Sequence, residues 1–456
     1  MIQTFNPHDG APVFSAPAAD DTVVDKVCRR AREVFFRDWR VLEAERRAEA
    51  LASVAAHLRE RAADYALAET RDTGKPQAAA LGEVAGAAAL WDYAASLARV
   101  QRSDALGAST REGLAFTLRE PMGVVGLIVP WNYPLITTAE RLPFALAAGC
   151  CVVLKPSELA VGSLPMLLEH LSTNPLLPDG VVQALFGTGK ETGLALTRHP
   201  AVDMIAFVGS TSAGRAIESS ATANGKRVSA ELGGSNLVLV YPDADLPRAA
   251  EAVAASALRN GGQACIAGTH VLVDPAVADR FAALVNEVVT RDYSGLDAQG
   301  RPRIQPMITF AHKQRLAGVV NTALAGGACA MSASQLDLPG NYYGPVLLDG
   351  LAAASALRRQ ELFGPVITFT RMTADKFPAE IADNAYGLAV YLWTASTAAA
   401  LSAARHCRVG RVWINADPGF WLPELPVGGF AGSGTGREGG FAGLETYSLS
   451  KSVLLY

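Results

Sequence analysis

The chain has 456 residues, half of them hydrophobic, and a formal charge of −4. That length suggests two or three domains, and the apolar content supports a large core. No basic block stands out, which argues against nucleic acid as a partner, and no run reaches the roughly 18 unbroken apolar residues that a membrane span needs.

The start, Met1-Ile2-Gln3-Thr4-Phe5-Asn6-Pro7, lacks the positive and apolar stretches of a signal peptide. The cysteines at 28, 150, 151, 265, 329 and 407 are scattered, with no CxxC pair and no Cys/His cluster at metal-ligand spacing. They read as reduced thiols, so a cytoplasmic protein with no metal is expected.

Residues 20–105 read as helices. Ala, Leu, Glu and Arg recur with roughly helical period, as in Glu45-Arg46-Arg47-Ala48-Glu49-Ala50-Leu51, and Gly74-Lys75-Pro76 breaks the pattern. Residues 111–119 read as an exposed strand. Residues 124–129 form a short β-branched run ending at Pro130, the mark of a buried strand. Gly149-Cys150-Cys151-Val152-Val153-Leu154-Lys155-Pro156 and residues 201–208 repeat that logic. Strands separated by helical stretches predict βαβ units and a parallel sheet. The alternation resumes at Asn236-Leu237-Val238-Leu239-Val240, which predicts a second α/β domain with a boundary near Gly233-Gly234. The last stretch, 446–456, is strand-like and apolar; a bare edge of that kind needs a partner.

Cys265 stands in Asn260-Gly261-Gly262-Gln263-Ala264-Cys265-Ile266-Ala267. Small, turn-forming neighbours let a substrate and backbone donors approach a thiol closely. A free Cys is more often simply a small buried hydrophobe. Upstream, Ala230-Glu231-Leu232-Gly233-Gly234 offers a carboxylate that could activate the thiol or a water as a base. Ligands bind at strand ends of open α/β sheets. Pro130-Trp131-Asn132-Tyr133-Pro134 follows one, and the Asn132 amide is a candidate oxyanion donor or a plain turn residue. Lys155-Pro156-Ser157-Glu158 follows another. A carboxylate there can accept two ribose hydroxyls, and it would repel a 2′-phosphate; otherwise these are solvated charges. Gly209-Ser210-Thr211-Ser212-Ala213-Gly214 lies between a strand and a helical stretch, so exposed N–H groups and a helix dipole suit a pyrophosphate.

Further motifs follow in order: Glu361-Leu362-Phe363-Gly364-Pro365-Val366 and Ser433-Gly434-Thr435-Gly436-Arg437-Glu438. With these the chain resembles the NAD(P)-dependent aldehyde dehydrogenase superfamily, of the hydrolytic, non-acylating type, over nearly its whole length. The resemblance implies an α/β fold: a Rossmann-like NAD-binding domain (1–105 and 122–233), an α/β catalytic domain carrying the catalytic Cys (234–432), and a small β oligomerisation domain (106–121 and 433–456). It implies a homodimer or homotetramer in the cytoplasm, acting on a small-molecule aldehyde with NAD as cofactor. It assigns Cys265 as nucleophile, Glu231 as the base for thioester hydrolysis and Asn132 as oxyanion donor. Val129, Pro130, Trp131, Lys155, Ser157, Glu158, Gly209, Ser210, Leu232, Gly233, Glu361 and Phe363 are its expected cofactor contacts.

The chain also departs from the pattern. Where the family tends to have Lys, it has Arg141, and with Glu438 this residue is a candidate proton relay to Glu231. Seven residues after Tyr133 the family often has Trp, or Arg in semialdehyde enzymes; here it is Glu140. Six residues before Cys265 it often has an aromatic; here it is Arg259. With Tyr133, Ile266, Phe420, Trp421 and Val427 these positions would line a substrate tunnel carrying an acid and a base. Either the two charges pair with each other, or each holds one end of a polar substrate such as an amino-aldehyde or a semialdehyde. A CoA-acylating relative would lack the Glu231-type base, and a non-catalytic binding protein on the same fold would lack Cys265 or Glu231.

Overall fold

The helical period of residues 20–105 resolves into Asp21–Val34, Ala44–Glu60, Ala62–Thr73 and Gln77–Ala98, with a π-helical turn Phe35–Trp39 after the first. Asp20 caps the first by accepting from the Val23 N–H. Gly74 ends the third at φ 77°, a left-handed conformation that favours glycine, and Pro76 precedes the fourth. Before them lies an antiparallel hairpin, Ile2–Phe5 with Pro12–Ala16, which the helical period does not reach. This computed structural model describes residues 1–106, 113–298, 300–333, 340–352, 355–419 and 421–455.

Among the described residues, two sheets of parallel character dominate. The first has five strands in the order Val182–Ala184, Cys151–Lys155, Val124–Ile128, Met204–Val208, Arg227–Glu231, all parallel. Every residue of its three central strands is buried, as expected where helices cover both faces. The helices of residues 21–98 pack into its core, with Trp39, Tyr65 and Trp91 fully enclosed. The second sheet has seven strands, of which Leu237–Val240, His270–Val273, Val366–Arg371, Ala389–Trp393 and Arg411–Ile414 are parallel neighbours; Cys329–Ala333 pairs antiparallel at one edge. Both sheets point strand ends at the space between Glu231 and Cys265.

The tail forms a strand with bounds shifted from those expected, and it pairs within the chain. Ser448–Leu455 runs antiparallel to Leu114–Pro121, from Ser448 opposite Pro121 to Leu455 opposite Leu114. Thr446 instead ends a helix, Gly440–Thr446; residues 111, 112 and Tyr456 lie outside the described residues. The other edge of Ser448–Leu455 has no strand beside it among the described residues, and Leu454 is 81% exposed.

A buried ion cluster ties the helical layer to the site. Lys75 contacts Glu83 and stands 3.6 Å from Glu69, with all three side chains at most 2% exposed. Glu69 accepts from the backbone N–H and hydroxyl of Ser163, and Glu83 from the Ile136 N–H. The Lys75 ammonium also lies 4.4 Å from the Tyr133 ring centre. Burial pushes the Glu69 carboxyl up to about 7, with Glu83 adding to it and Lys75 opposing. Lys75→Met strands two carboxylates and should cost about 3–5 kcal/mol, read as a lower denaturant midpoint; an unchanged midpoint would show that the cluster exerts no net hold.

Candidate active site

The loop before Cys265 is built from left-handed residues. The helix Leu246–Leu258 runs into the turn Arg259–Gly262, where Asn260, Gly261 and Gly262 have φ of 54°, 62° and 73°. A Cβ on Gly262 would lie 2.2 Å from the Gly364 carbonyl oxygen. The glycine therefore lets the Cys265 loop touch the Glu361 loop. Neutral amides fix it in place: Asn132 Nδ2 donates to the Gln263 carbonyl at 2.9 Å, and Asn260 Nδ2 donates to the carbonyls of Asn132 and Gln263. Asn236 donates to the carbonyls of Cys265 and Ala267, and the Tyr391 hydroxyl to that of Ile266. Asn132 is buried beside the thiol loop with one N–H to spare.

Glu231 ends its strand with Oε1 3.8 Å from the Cys265 Sγ. Its other oxygen contacts Arg141, which is fully buried. Arg141 also reaches Glu140 at 3.2 Å, Glu438 at 3.9 Å and the Thr137 carbonyl at 2.8 Å. Glu438 is held in turn by the hydroxyls of Ser229 at 2.5 Å and Tyr447 at 2.8 Å. Burial works against the Arg141 charge, but Glu438, Glu231 and Glu140 together hold its proton more tightly than usual. Burial, and then Glu231, Glu361 and Glu140, push the Cys265 thiol well above its ordinary value. The thiol is therefore not preformed as thiolate near neutral pH. It must lose that proton before the sulfur can attack.

The other candidate residues line the adjacent strand ends. Lys155 Nζ pairs with Glu158 at 3.1 Å, Glu158 accepts from the Gly189 N–H, and Ser157 Oγ accepts from the Leu159 N–H. Val129 N–H donates to the Lys155 carbonyl. Ser210 caps the helix Thr211–Thr222, and its hydroxyl accepts from the Ala213 N–H. A Cβ on Gly209 would meet the Phe207 ring at 2.6 Å, and one on Gly233 would meet the Glu361 carboxylate at 2.2 Å; Leu232 packs against Gly214. Glu361 accepts from the Gly234 N–H, and burial lifts its carboxyl to about 7. Phe363, at φ 52°, meets Trp131 edge-on at 5.5 Å. Pro130 precedes that ring.

The sequence reading missed the groups that hold this loop. His270 contacts the Gln360 carbonyl, Arg315 donates to that of Leu362, and His312 contacts that of Phe363. No motif marks them, since each is a lone basic residue on a distant element.

The tunnel candidates are dispersed. Tyr133 stands over Lys75, and its hydroxyl is buried without a partner. Glu140 pairs with Arg141 rather than with Arg259, because the guanidinium next to it is buried and needs several anions, whereas Arg259 is exposed. Val427 exchanges two backbone hydrogen bonds with Glu438 and so steadies that carboxylate. Trp421 packs partly buried against the helical layer. Phe420 lies outside the described residues. The structure adds Arg411: its guanidinium lies 5.1 Å from the Trp413 ring centre, one nitrogen is buried without a partner, and its charge acts on Glu140.

The raised thiol sets a direction with pH. Thiolate becomes populated only above the ordinary thiol range, so alkylation of Cys265 by iodoacetamide should keep accelerating beyond pH 9. Glu231→Gln removes one of the charges that raise it and should speed alkylation at pH 8. A wild-type rate already level at pH 7 would contradict this electrostatic account.

The model of the aldehyde dehydrogenase family matches residues 1–453. The chain is 34% identical to the NADP/NAD-dependent aldehyde dehydrogenase PuuC of Escherichia coli over 99% of its own length and 92% of that protein. The crystal structure of an NAD-dependent aldehyde dehydrogenase from Sinorhizobium meliloti has 35% identity and a TM-score of 0.95, covering 100% of this chain and 91% of that one. Betaine aldehyde dehydrogenase from Staphylococcus aureus in complex with NAD+ has 27% identity and a TM-score of 0.95, covering 99% and 91%. A family match from end to end and a shared fold at 35% identity agree: the chain belongs to the aldehyde dehydrogenase family.

Proposed function

We propose that this protein oxidises an aldehyde to its carboxylic acid with NAD, through an acyl group carried on Cys265. The observation that carries the reading is the approach of Glu231 to Cys265, 3.8 Å from carboxylate to sulfur, with the Asn132 amide on the neighbouring loop. Cys265 loses its proton to solvent, and the thiolate sulfur attacks the carbonyl carbon. The Asn132 amide and the Cys265 N–H receive the oxyanion. Bound NAD supplies the hydride acceptor that turns the thiohemiacetal into a thioester. Glu231 then draws a proton from water as that water attacks the thioester, and Cys265 leaves as a good leaving group.

The residues present fit the cofactor. Gly209 and Gly233 let Phe207 and Glu361 lie against the backbone where any side chain would clash, Thr211 Oγ1 is buried without a partner among the described residues, and Ser210 opens a helix N-terminus suited to phosphate. Lys155, Ser157 and Glu158 would hold the adenosine ribose; Glu361, Phe363 and Trp131 would hold the nicotinamide ribose and ring, with Val129, Pro130, Leu232 and Gly233 around them. We assign residues 1–105 and 122–233 to NAD binding, 234–432 to catalysis, and 106–121 with 433–456 to assembly of a homodimer or homotetramer through the open edge of Ser448–Leu455. The free cysteines support a reducing, cytoplasmic setting. Glu231 favours hydrolysis over transfer to CoA. A polar aldehyde suits a site bearing Glu140, Arg259 and Arg411.

Cys265→Ala should abolish NADH production while NAD still binds. Glu231→Gln should give one burst of NADH and an acyl adduct visible by intact mass; activity surviving in Cys265→Ala, or no adduct in Glu231→Gln, would overturn the assignments. Through like-charge repulsion Glu158 should also make kcat/KM higher with NAD than with NADP. Glu158→Gln should narrow that gap, and an equal wild-type value for both cofactors would refute the role of Glu158.

A further inference from the structure

We propose that Glu140 forms one working pair with Glu231 across Arg141: it takes over the proton that Glu231 removes from water. This rests on the reading of Glu231 as the base for thioester hydrolysis.

The geometry narrows the routes. In hydrolysis the water O–H proton passes to Glu231, the oxygen adds to the acyl carbon, the C–S bond breaks and the acid departs. Glu231 must then lose a proton before the next turnover. Its nearest polar neighbour, Arg141, offers no path, because a guanidinium is a donor only and stays charged in proteins. Three carboxylates share that guanidinium, each from a different nitrogen: Glu231 on Nη2, Glu140 on Nη1 and Glu438 near Nε. Glu438 is closed off, 1% exposed and capped by Ser229 and Tyr447. Glu140 is 14% exposed and, among the described residues, has no hydroxyl cap. Glu231 and Glu140 thus sit on adjacent nitrogens of one planar fork, where a bridging water would let a proton cross from Glu231 to Glu140 and on to solvent.

The surroundings suit the task. Glu140 follows the short helix Pro134–Ala139. It faces Arg141 beside it, Glu231 from the strand Arg227–Glu231, Arg411 from Arg411–Ile414, and more distantly Cys265. Burial first, and Glu231 next among the raising influences, bring its carboxyl up to about 7, against Arg141 and Arg411.

The test follows the acyl-enzyme over repeated turnovers by quenched intact mass, with NAD and aldehyde in excess, and takes its decay rate as turnover divided by the fraction acylated, from pH 5.5 to 9. In the wild type, decay should slow as pH falls through about 7, where protonated Glu140 can no longer receive the proton from Glu231. In Glu140→Gln, decay above pH 7 should be about tenfold slower and lose that inflection, while a full NADH burst shows the variant folds and acylates. Glu140→Asp, which keeps the carboxylate, should retain the inflection. Wild-type decay and inflection in Glu140→Gln would overturn the pair, as would loss of the inflection in Glu140→Asp. Glu231→Gln separates the two readings: decay at wild-type rate there defeats Glu231 as base, whereas persistent acyl-enzyme there with an unchanged Glu140→Gln defeats only the pair.

Discussion

Arg141 carries a full charge almost out of contact with water, and Glu231, Glu140 and Glu438 close around it from separate parts of the chain. Removing a guanidinium from water costs several kcal/mol unless its donors are met, so these carboxylates are constrained to converge. That convergence brings the end of the strand Arg227–Glu231 against the turn after Pro134–Ala139 and against the segment before Gly440–Thr446. The position of Glu231 near Cys265 is thus set by its partners in an ion network around Arg141. Tyr447 links it onward, since its hydroxyl holds Glu438 while its carbonyl accepts from Met122. Residues next to the tail strand are in this way continuous with the centre of the site.

The second constraint is backbone proximity. Gly262 against Gly364, and Gly233 against Glu361, are approaches that any side chain would block. They let loops from the second sheet lie flat on one another beside the thiol. His270, His312 and Arg315 then tie successive carbonyls of the Glu361 loop to the surrounding structure. The Glu361 loop is thus held through its backbone, whereas Glu231 is held by charge.

Much of this was legible in the sequence. Short β-branched runs ending at Pro130, Pro156 and Gly209 mark buried parallel strands because burial on both faces leaves no polar alternation. Cys265 and Glu231 stand out because glycines crowd them. Charge partners were not legible. A motif offset gives Glu140 and Arg259 comparable standing, but only the fold reveals that the neighbouring Arg141 is buried and draws Glu140 to itself. Arg411, His312 and Arg315 carry no sequence signal, since a lone basic residue looks the same on a solvated face. The hairpin at the N-terminus has a turn signal, Asn6-Pro7-His8-Asp9-Gly10, but its flanking strands are too short to alternate clearly. Helix and strand meet at Tyr447 because its ring is anchored in the core, a packing effect that period counting does not register.

The amides around the thiol loop have a consequence of their own. Asn132, Asn236, Asn260 and Gln263 are neutral at every pH the protein meets, and they bond mainly to backbone carbonyls. The amide-lined side of the cleft, next to the thiol, is therefore blind to acidity, and among the described residues added salt finds no ion pair between these amides to screen. Sensitivity to the medium is concentrated in the carboxylates a few ångströms away. A lineage carrying this fold can thus retune its working pH by exchanging residues around one guanidinium, leaving untouched the geometry that recognises a carbonyl.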